Sequence, residues 1–347
     1  LLVLPFIGME ISKDGYFSDY LRPQQTNQYK AFFAFVVILH HLAQRTQTGV
    51  LFPFFNKIGY LAVGMFFFIS GYGLMFQYIK KKEQYIDHFL SHRLLKVLIP
   101  YFIAMVLYYL AYKIIGLDIS IKSALQSFLT QRPYVSFSWY ILATIFFYLI
   151  FYVSAKIFKE HYMFMIVMIA AGLVLYGFIC HSLGHGTWWY NTCTCFLLGI
   201  VWGRCNKVIT QWLQRKWMIS ILFSLVGFIL FFQLSQKTNI GGLWYHLFTH
   251  YVSSAFFCIT LAFAGMKVRL NSKILQFISK ISYEMYLLHG LAILFLRNDI
   301  WSIKSDLLFT AVVVLGSPLV AILFHLLNTN LPITGRKPSR TYENYSS

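Results

Sequence analysis

Lys30 and His41 stand eleven residues apart in a stretch, Gln28 to Arg45, that reads QYKAFFAFVVILHHLAQR and is apolar between positive ends. On an α-helix that interval is about three turns and roughly 16 Å, and it returns the side chains to within about 20° of each other. Lys30 and His41 therefore share a face, while His40 points to another side. A histidine deep in so apolar a segment is unfavourable unless it has a partner or a task, which makes it a site candidate. The structural alternative is a histidine hydrogen-bonded across helices as glue.

A second polar stripe lies near the C-terminus. Ser282, Tyr286 and His289 follow the i, i+4, i+7 spacing of one helix face. Counted from Lys280, His289 is roughly 14 Å along the helix, a depth comparable to that of His41, so the two imidazoles can meet in a bundle. Other chemistries lose support by elimination. Of 11 acidic residues, only Glu284 falls in a strongly apolar window, where pairing with Lys280 is expected. Paired-carboxylate catalysis at bilayer depth is therefore not available, and no phosphate loop or HExxH run is present. Histidine, chiefly His40, His41 and His289, is left as acid or base.

Two further runs border this chemistry. Gly64 to Gly73 reads GMFFFISGYG, and its small residues Ser70, Gly71 and Gly73 permit close helix approach; Ser70 and Tyr72 are also supporting site candidates. Arg93 and Lys96, three apart on one predicted helix face, can hold an anionic ligand, although anchoring at a cytoplasmic membrane surface explains them too. His181, His185, Cys193 and Cys195 match no common zinc spacing, so no metal site is expected. Trp139, Tyr140, Trp188, Trp189 and Tyr190 read most simply as interface aromatics.

The elements that must position these residues are transmembrane helices. The 347-residue chain is 58% hydrophobic and 19% aromatic, with 12% charged residues, a composition whose solvent is a bilayer. Ten apolar windows appear, near Gln28–Arg45, Ile58–Ile79, Leu94–Ile115, Ser138–Phe158, Tyr162–Ile179, Trp188–Gly203, Trp217–Leu234, Thr249–Met266, Ile274–Leu296 and Leu307–Leu327. The expected fold class is all-α: a polytopic bundle of about ten helices. The net charge of +18 is scattered between the windows, which argues against nucleic acid as a partner. Lysine and arginine concentrate in alternate loops, after the second, fourth, sixth, eighth and tenth windows, so both chain ends are expected on the cytoplasmic side. Five cysteines, an odd number in apolar surroundings, do not suggest a disulfide framework.

Three parts are expected: residues 1–28, a polar, turn-rich segment whose start is read as the remnant of an earlier hydrophobic helix; residues 29–328, one membrane domain; and residues 329–347, a cytoplasmic tail. Thr26-Asn27 is expected to cap the first helix. Ile119–Leu129 is amphipathic and expected along the outer interface.

Lys30 with His41, the GMFFFISGYGL run, Phe89 to Tyr101, and Ile281-Ser282-Tyr283 through Tyr286 to His289 together resemble the four recurring motifs of the acyltransferase family 3 membrane proteins. The resemblance implies transfer of an acyl group, usually acetyl, from acyl-CoA to a hydroxyl of a cell-envelope polysaccharide or its lipid-linked precursor in a bacterial cytoplasmic membrane. It implies His41 as the essential histidine, acting as base or as acyl relay; His289, on its comparable depth, is the second catalytic candidate. Lys30, Arg93 and Lys96 are then donor-binding, and Ser70, Tyr72, Ser282 and Tyr286 supporting. Lys30 and Lys96 stand where the family has arginine, and His92 with Arg93 where it has paired arginines; lysine lacks the guanidinium fork. Acyl-CoA is expected as co-substrate with no bound cofactor. The implied partners are the lipid bilayer, a carbohydrate acceptor and separate envelope-biosynthesis proteins that receive the group if this chain does not finish the transfer. The rival classes are an exporter or transporter using buried histidines as proton relays, and an inactive homologue serving in assembly or sensing.

Overall fold

The computed structural model describes residues 3–46, 51–117, 120, 122, 126, 134–237, 241–300 and 302–329. The amphipathic stretch expected at Ile119–Leu129, apart from isolated positions, and the tail beyond residue 329 lie outside the described residues. The described helices are α1 Pro23–Ala43, α2 Leu51–Lys81, α3 Glu83–Asp87, α4 Leu95–Ile114, α5 Trp139–Phe158, α6 Tyr162–Ser182, α7 Thr194–Ser235, α8 Gly242–Gly265, α9 Lys273–Leu296 and α10 Asp306–Thr329. Two short strands, β1 Glu10–Ile11 and β2 Val268–Arg269, pair antiparallel with Glu10 opposite Arg269.

Seven stretches among the described residues are long and apolar enough to cross a bilayer. α1 and α9 are not among them, because their N-terminal halves carry glutamines, lysines and Glu284. Their place explains the tolerance. α1 packs on α2, α9 and α10 and is buried along most of its length, so protein rather than lipid faces its polar groups.

The sixth and seventh windows, expected as separate spans, form the single helix α7. Unbent, its 42 residues would reach about 63 Å, twice the hydrocarbon thickness. It bends at Lys216, whose backbone leaves the helical region at φ −129° and ψ 25°, and it returns. At its start Cys195 bonds Ser254, and at its end Ser235 shares the Tyr60 hydroxyl with Ser253, so both ends reach one depth. The halves of α7 thus account for two of the ten expected crossings. The descending half packs on α2 backbone to backbone: a Cβ on Gly71 would collide with the Phe196 carbonyl, and one on Gly199 with that of Phe68. Gly73, expected in the same role, faces open space.

α1 begins at Pro23, earlier than the expected cap at Thr26-Asn27, with Arg22 as N-cap and proline in the first turn, a position where the missing N–H is not needed. Thr26 instead bonds back to the Arg22 and Pro23 carbonyls. Ahead of α1 the chain forms a 3-10 turn, Leu4–Phe6, and β1, with no transmembrane helix among residues 3–22. Leu90–Leu94 is a π-helical turn leading into α4. The α2–α3 and α5–α6 turns are cross-linked by Lys82–Glu160 at 2.6 Å and Lys159–Glu83 at 2.9 Å. Lys159 holds the Glu83 carboxyl below its usual range and Glu160 raises the Lys82 ammonium, but these pairs are exposed and add little to stability.

Gln28 bonds the loop before α9, and Arg297, just after α9, donates to the Arg45 carbonyl just after α1. α1 and α9 are therefore parallel. His325, near the end of α10, meets Glu284 in α9, which returns α10 to the side where α1 starts. That face also carries Lys80, Lys81, Arg93, Lys156 and Lys159.

Candidate active site

The site is seated on α1 and α9, and two buried glutamines set their register. Gln25 accepts from the Leu270 N–H at 2.9 Å and donates to the Val268 carbonyl at 3.3 Å. One turn on, Gln28 donates to the Leu270 carbonyl at 2.7 Å and accepts from the Ser272 N–H at 2.9 Å. Backbone groups of the strand and the α9 N-terminus, which have no ladder partner there, are satisfied by side-chain amides of α1. At the far end Arg297 ties Arg45 to Asp306 at the start of α10.

Between these fixed ends His41 and His289 stack, with ring centroids 5.2 Å apart and planes 18° from parallel. Phe137, just before α5, lies on His41 at 3.7 Å and against His289 at 5.3 Å. His289 is fully buried and His41 nearly so; neither faces lipid. The His289 Nδ1 lies 2.7 Å from the Tyr286 carbonyl. A carbonyl only accepts, so Nδ1 carries the hydrogen and Nε2 the lone pair. That Nε2 is buried with no hydrogen-bond partner among the described residues, an unfavourable arrangement that a bound group would relieve.

Two cavities run from the basic face toward this pair. The outer one, about 410 Å³, is lined toward its mouth by Asp19, Arg22, Pro23, Gln77 and Arg93 and deeper by Lys30, Ser70 and Tyr72. The inner one, about 220 Å³, is lined by Lys30, Ser70, Tyr148, Thr144, Tyr140, Ser282, Tyr283 and Tyr286, with Phe66, Val97 and Ile141. They share Lys30, Ser70 and Tyr148. Asp19, the acid in the outer lining, is engaged by Arg22 at 3.1 Å and Arg269 at 2.7 Å. Among the described residues no carboxylate pairs with Lys30 or Arg93, so their charge is available to an anion. The inner cavity stops at Tyr140 and Tyr286. Neither histidine lines it; the Tyr286 ring lies 5.8 Å from His289, and its hydroxyl donates to the Phe137 carbonyl at 2.6 Å.

The structure thus brings together Lys30, Arg93, Ser70, Tyr72, Ser282 and Tyr286 around connected cavities, and His41 with His289 behind them. Lys96 is exposed and outside both linings. The wider π-turn places Arg93 in the mouth and breaks the helical register expected to align it with Lys96; His92 is also exposed, bonding back to His88. Glu284 pairs with His325 at 2.7 Å, not with Lys280, because Glu284 faces α10 while Lys280 is exposed. Tyr140 is a cavity residue in contact with Phe66, Phe67 and Tyr286, and Trp189 and Tyr190 are buried, so of the expected interface aromatics Trp188 fits best. His185 stacks on Trp189, Cys195 bonds Ser254, and no three metal-ligating side chains converge among the described residues.

Sequence reasoning gave no site role to Phe137, Tyr148 or Gln44, nor to Tyr283 although that residue lies within one of the resembling motifs. Tyr283 and Tyr148 have a legible signal in retrospect, lying beside or at helical spacing from named residues; Phe137 depends on loop geometry that no periodicity reveals. The arrangement offers two stacked imidazoles, a hydroxyl-rich tunnel and two cations toward one face. That suits proton transfer at one end of an extended, anion-tailed ligand.

A family model described as an acyltransferase domain, that of acyltransferase family 3, matches residues 27–326. Comparison with curated proteins and with solved structures returns no match.

Proposed function

Because this chain belongs to acyltransferase family 3, and so is a multi-pass membrane acyltransferase, we propose that it moves an acyl group, acetyl in the first instance, from acyl-CoA to a hydroxyl of a cell-envelope polysaccharide or its lipid-linked precursor. The membrane is the bacterial cytoplasmic membrane, with the Lys- and Arg-rich face, and both ends of the helix array, toward the cytoplasm.

The observation that carries this reading is the stacked His41–His289 pair standing behind a cavity whose other end holds Lys30 and Arg93 with no carboxylate partner among the described residues. CoA phosphates bind at those cations, and the pantetheine arm extends along Ser70, Thr144 and Ser282. The axial separation of Lys30 and His41, roughly 16 Å, matches an extended arm. His41 Nε2 takes the proton of the acceptor hydroxyl as its oxygen attacks the thioester carbonyl, and His289 Nε2 orients the acceptor. The tetrahedral intermediate collapses with cleavage of the C–S bond. The proton passes from His41 to the departing thiolate, leaving an ester and free CoA thiol. Lysine at position 30 supplies charge without bidentate geometry, so the donor is held there through its charge.

The test is transfer of labelled acetyl from acetyl-CoA in membranes containing the wild type or His41→Ala. Label should reach an envelope fraction with the wild type alone. No transfer by the wild type to any extracted fraction, together with loss of the polymer itself from the surface when the protein is absent, would favour an exporter.

A further inference from the structure

We propose that Gln44 is a positioning residue for this chemistry: bridging His40 and His41, it fixes the tautomer that leaves Nε2 of His41 free to accept a proton. The inference rests on the reading of His41 as the base.

Three hydrogen bonds in series assign every hydrogen. His40 Nδ1 lies 3.1 Å from the carbonyl of Phe55 in the first part of α2. A carbonyl oxygen cannot donate, so His40 carries its hydrogen on Nδ1 when neutral, and its Nε2 is an acceptor. The Gln44 Nε2 lies 3.2 Å from that His40 Nε2 and must be the donor. The amide orientation is thereby settled, with Oε1 turned toward His41 Nδ1 at 3.4 Å. That oxygen accepts only, so His41 also carries its hydrogen on Nδ1 and presents its lone pair at Nε2. One amide serves both rings because Gln44 is i+4 from His40 and i+3 from His41, the spacings at which helix side chains meet.

The outer anchor of this series is built into α2. Gly59 packs against His40, and a Cβ there would lie 2.5 Å from its Cδ2 and 2.6 Å from its Nδ1. Only glycine leaves His40 room to reach the Phe55 carbonyl. His40 thus has an assignable task although it points away from the cavity. As His41 takes a proton, positive charge develops next to the Gln44 oxygen, and a hydrogen bond to a charged partner is about twice as strong as a neutral one.

The groups facing His41 are His40 from α1, Arg45 just after it and His289 from α9; Phe137 before α5 is uncharged. Arg297 at the end of α9 contacts the Arg45 carbonyl and pairs with Asp306. None of these changes in the following test. Gln44 is exposed at the end of α1, so its replacement leaves the packed bundle intact.

The experiment measures labelled acetyl transfer against pH for wild type, His41→Ala, Gln44→Leu and Gln44→Glu in membranes. Gln44→Leu should lower kcat roughly tenfold to a hundredfold with the KM for acetyl-CoA unchanged. Gln44→Glu should keep activity, because one carboxylate oxygen still accepts from the His41 Nδ1–H, although the other cannot donate to His40 Nε2 as the amide does. By stabilising the imidazolium it should also move the acid limb of the kcat/KM profile to higher pH, by about one unit. Wild-type kcat in Gln44→Leu, or an unshifted acid limb in Gln44→Glu, overturns the positioning role even if His41→Ala is inactive. Full activity in His41→Ala instead removes the base itself, and this inference with it.

Discussion

His41 and His289 lie face to face at 5.2 Å because α1 and α9 run parallel and are locked in register at both ends, by Gln25 and Gln28 at one and by Arg297 at the other. Neither ring is held by a carboxylate among the described residues. No acidic neighbour there competes for the proton that a base must take up from its substrate.

Replacement of His289 by alanine is expected to lower kcat by about 10²-fold, the loss that follows when the reacting hydroxyl is no longer oriented toward His41. Since both rings serve one proton transfer, the His41→Ala/His289→Ala double variant should be little worse than either single one. Labelled transfer in membranes reads both; full multiplicativity would mean that the two histidines act independently.

Lys30→Ala and Arg93→Ala should each raise the KM for acyl-CoA by roughly tenfold or more, from loss of a charge-assisted bond, with a much smaller change in kcat. Lys30→Arg should keep or improve binding, and Lys96→Ala should leave KM near wild type, because Lys96 lies outside both cavities. An unchanged KM in both Lys30→Ala and Arg93→Ala would remove the donor phosphates from this face.

The crossings were legible because lipid leaves the backbone no option but helix and demands an apolar run for each. The return of α7 at Lys216 was hidden only as to whether the turn breaks the helix. Helical periodicity placed Ser282 and Tyr286 on one cavity wall, whereas Lys30 joins that lining only because α1 packs on α9. Contacts between elements remote in sequence had no such signal. Glu284 reads locally as a partner for Lys280 because the i, i+4 rule sees a single helix; the pairing with His325 depends on which face meets α10. Lys96 was misplaced for a related reason, since a π-turn changes the rotation per residue and nothing in Leu90–Leu94 announces one.

Gln28→Leu should destabilise the fold by about 2–4 kcal/mol, because the Leu270 carbonyl and the Ser272 N–H both lose a buried partner. The neighbouring exposed Gln24→Leu is the control and should change little. Thermal unfolding in detergent checks this, and equal midpoints for the two variants would show that the amide clamp contributes nothing to the α1–α9 register.

Phe137 stacks on His41 behind the Tyr286 wall of the inner cavity, and it does so in an unfavourable backbone conformation. Its φ is +65°, a region that a bulky L-residue occupies at a cost of about 1–2 kcal/mol. Two contacts offset that cost: the Tyr286 hydroxyl on its carbonyl and the stack on His41. A thioester advancing along the cavity meets Tyr286 first and must part this layer to reach His41, so the ring should exclude water until donor and acceptor are both present. Phe137→Ala and Phe137→Gly each remove the ring and should raise acyl-CoA hydrolysis in the absence of acceptor. They differ in the backbone. Glycine accepts positive φ freely whereas alanine does not, so Phe137→Gly should be the more stable variant by about 1 kcal/mol. Release of free CoA thiol measures the leak, and unfolding midpoints measure the strain. If neither variant hydrolyses acyl-CoA faster than wild type, Phe137 is packing and not a seal.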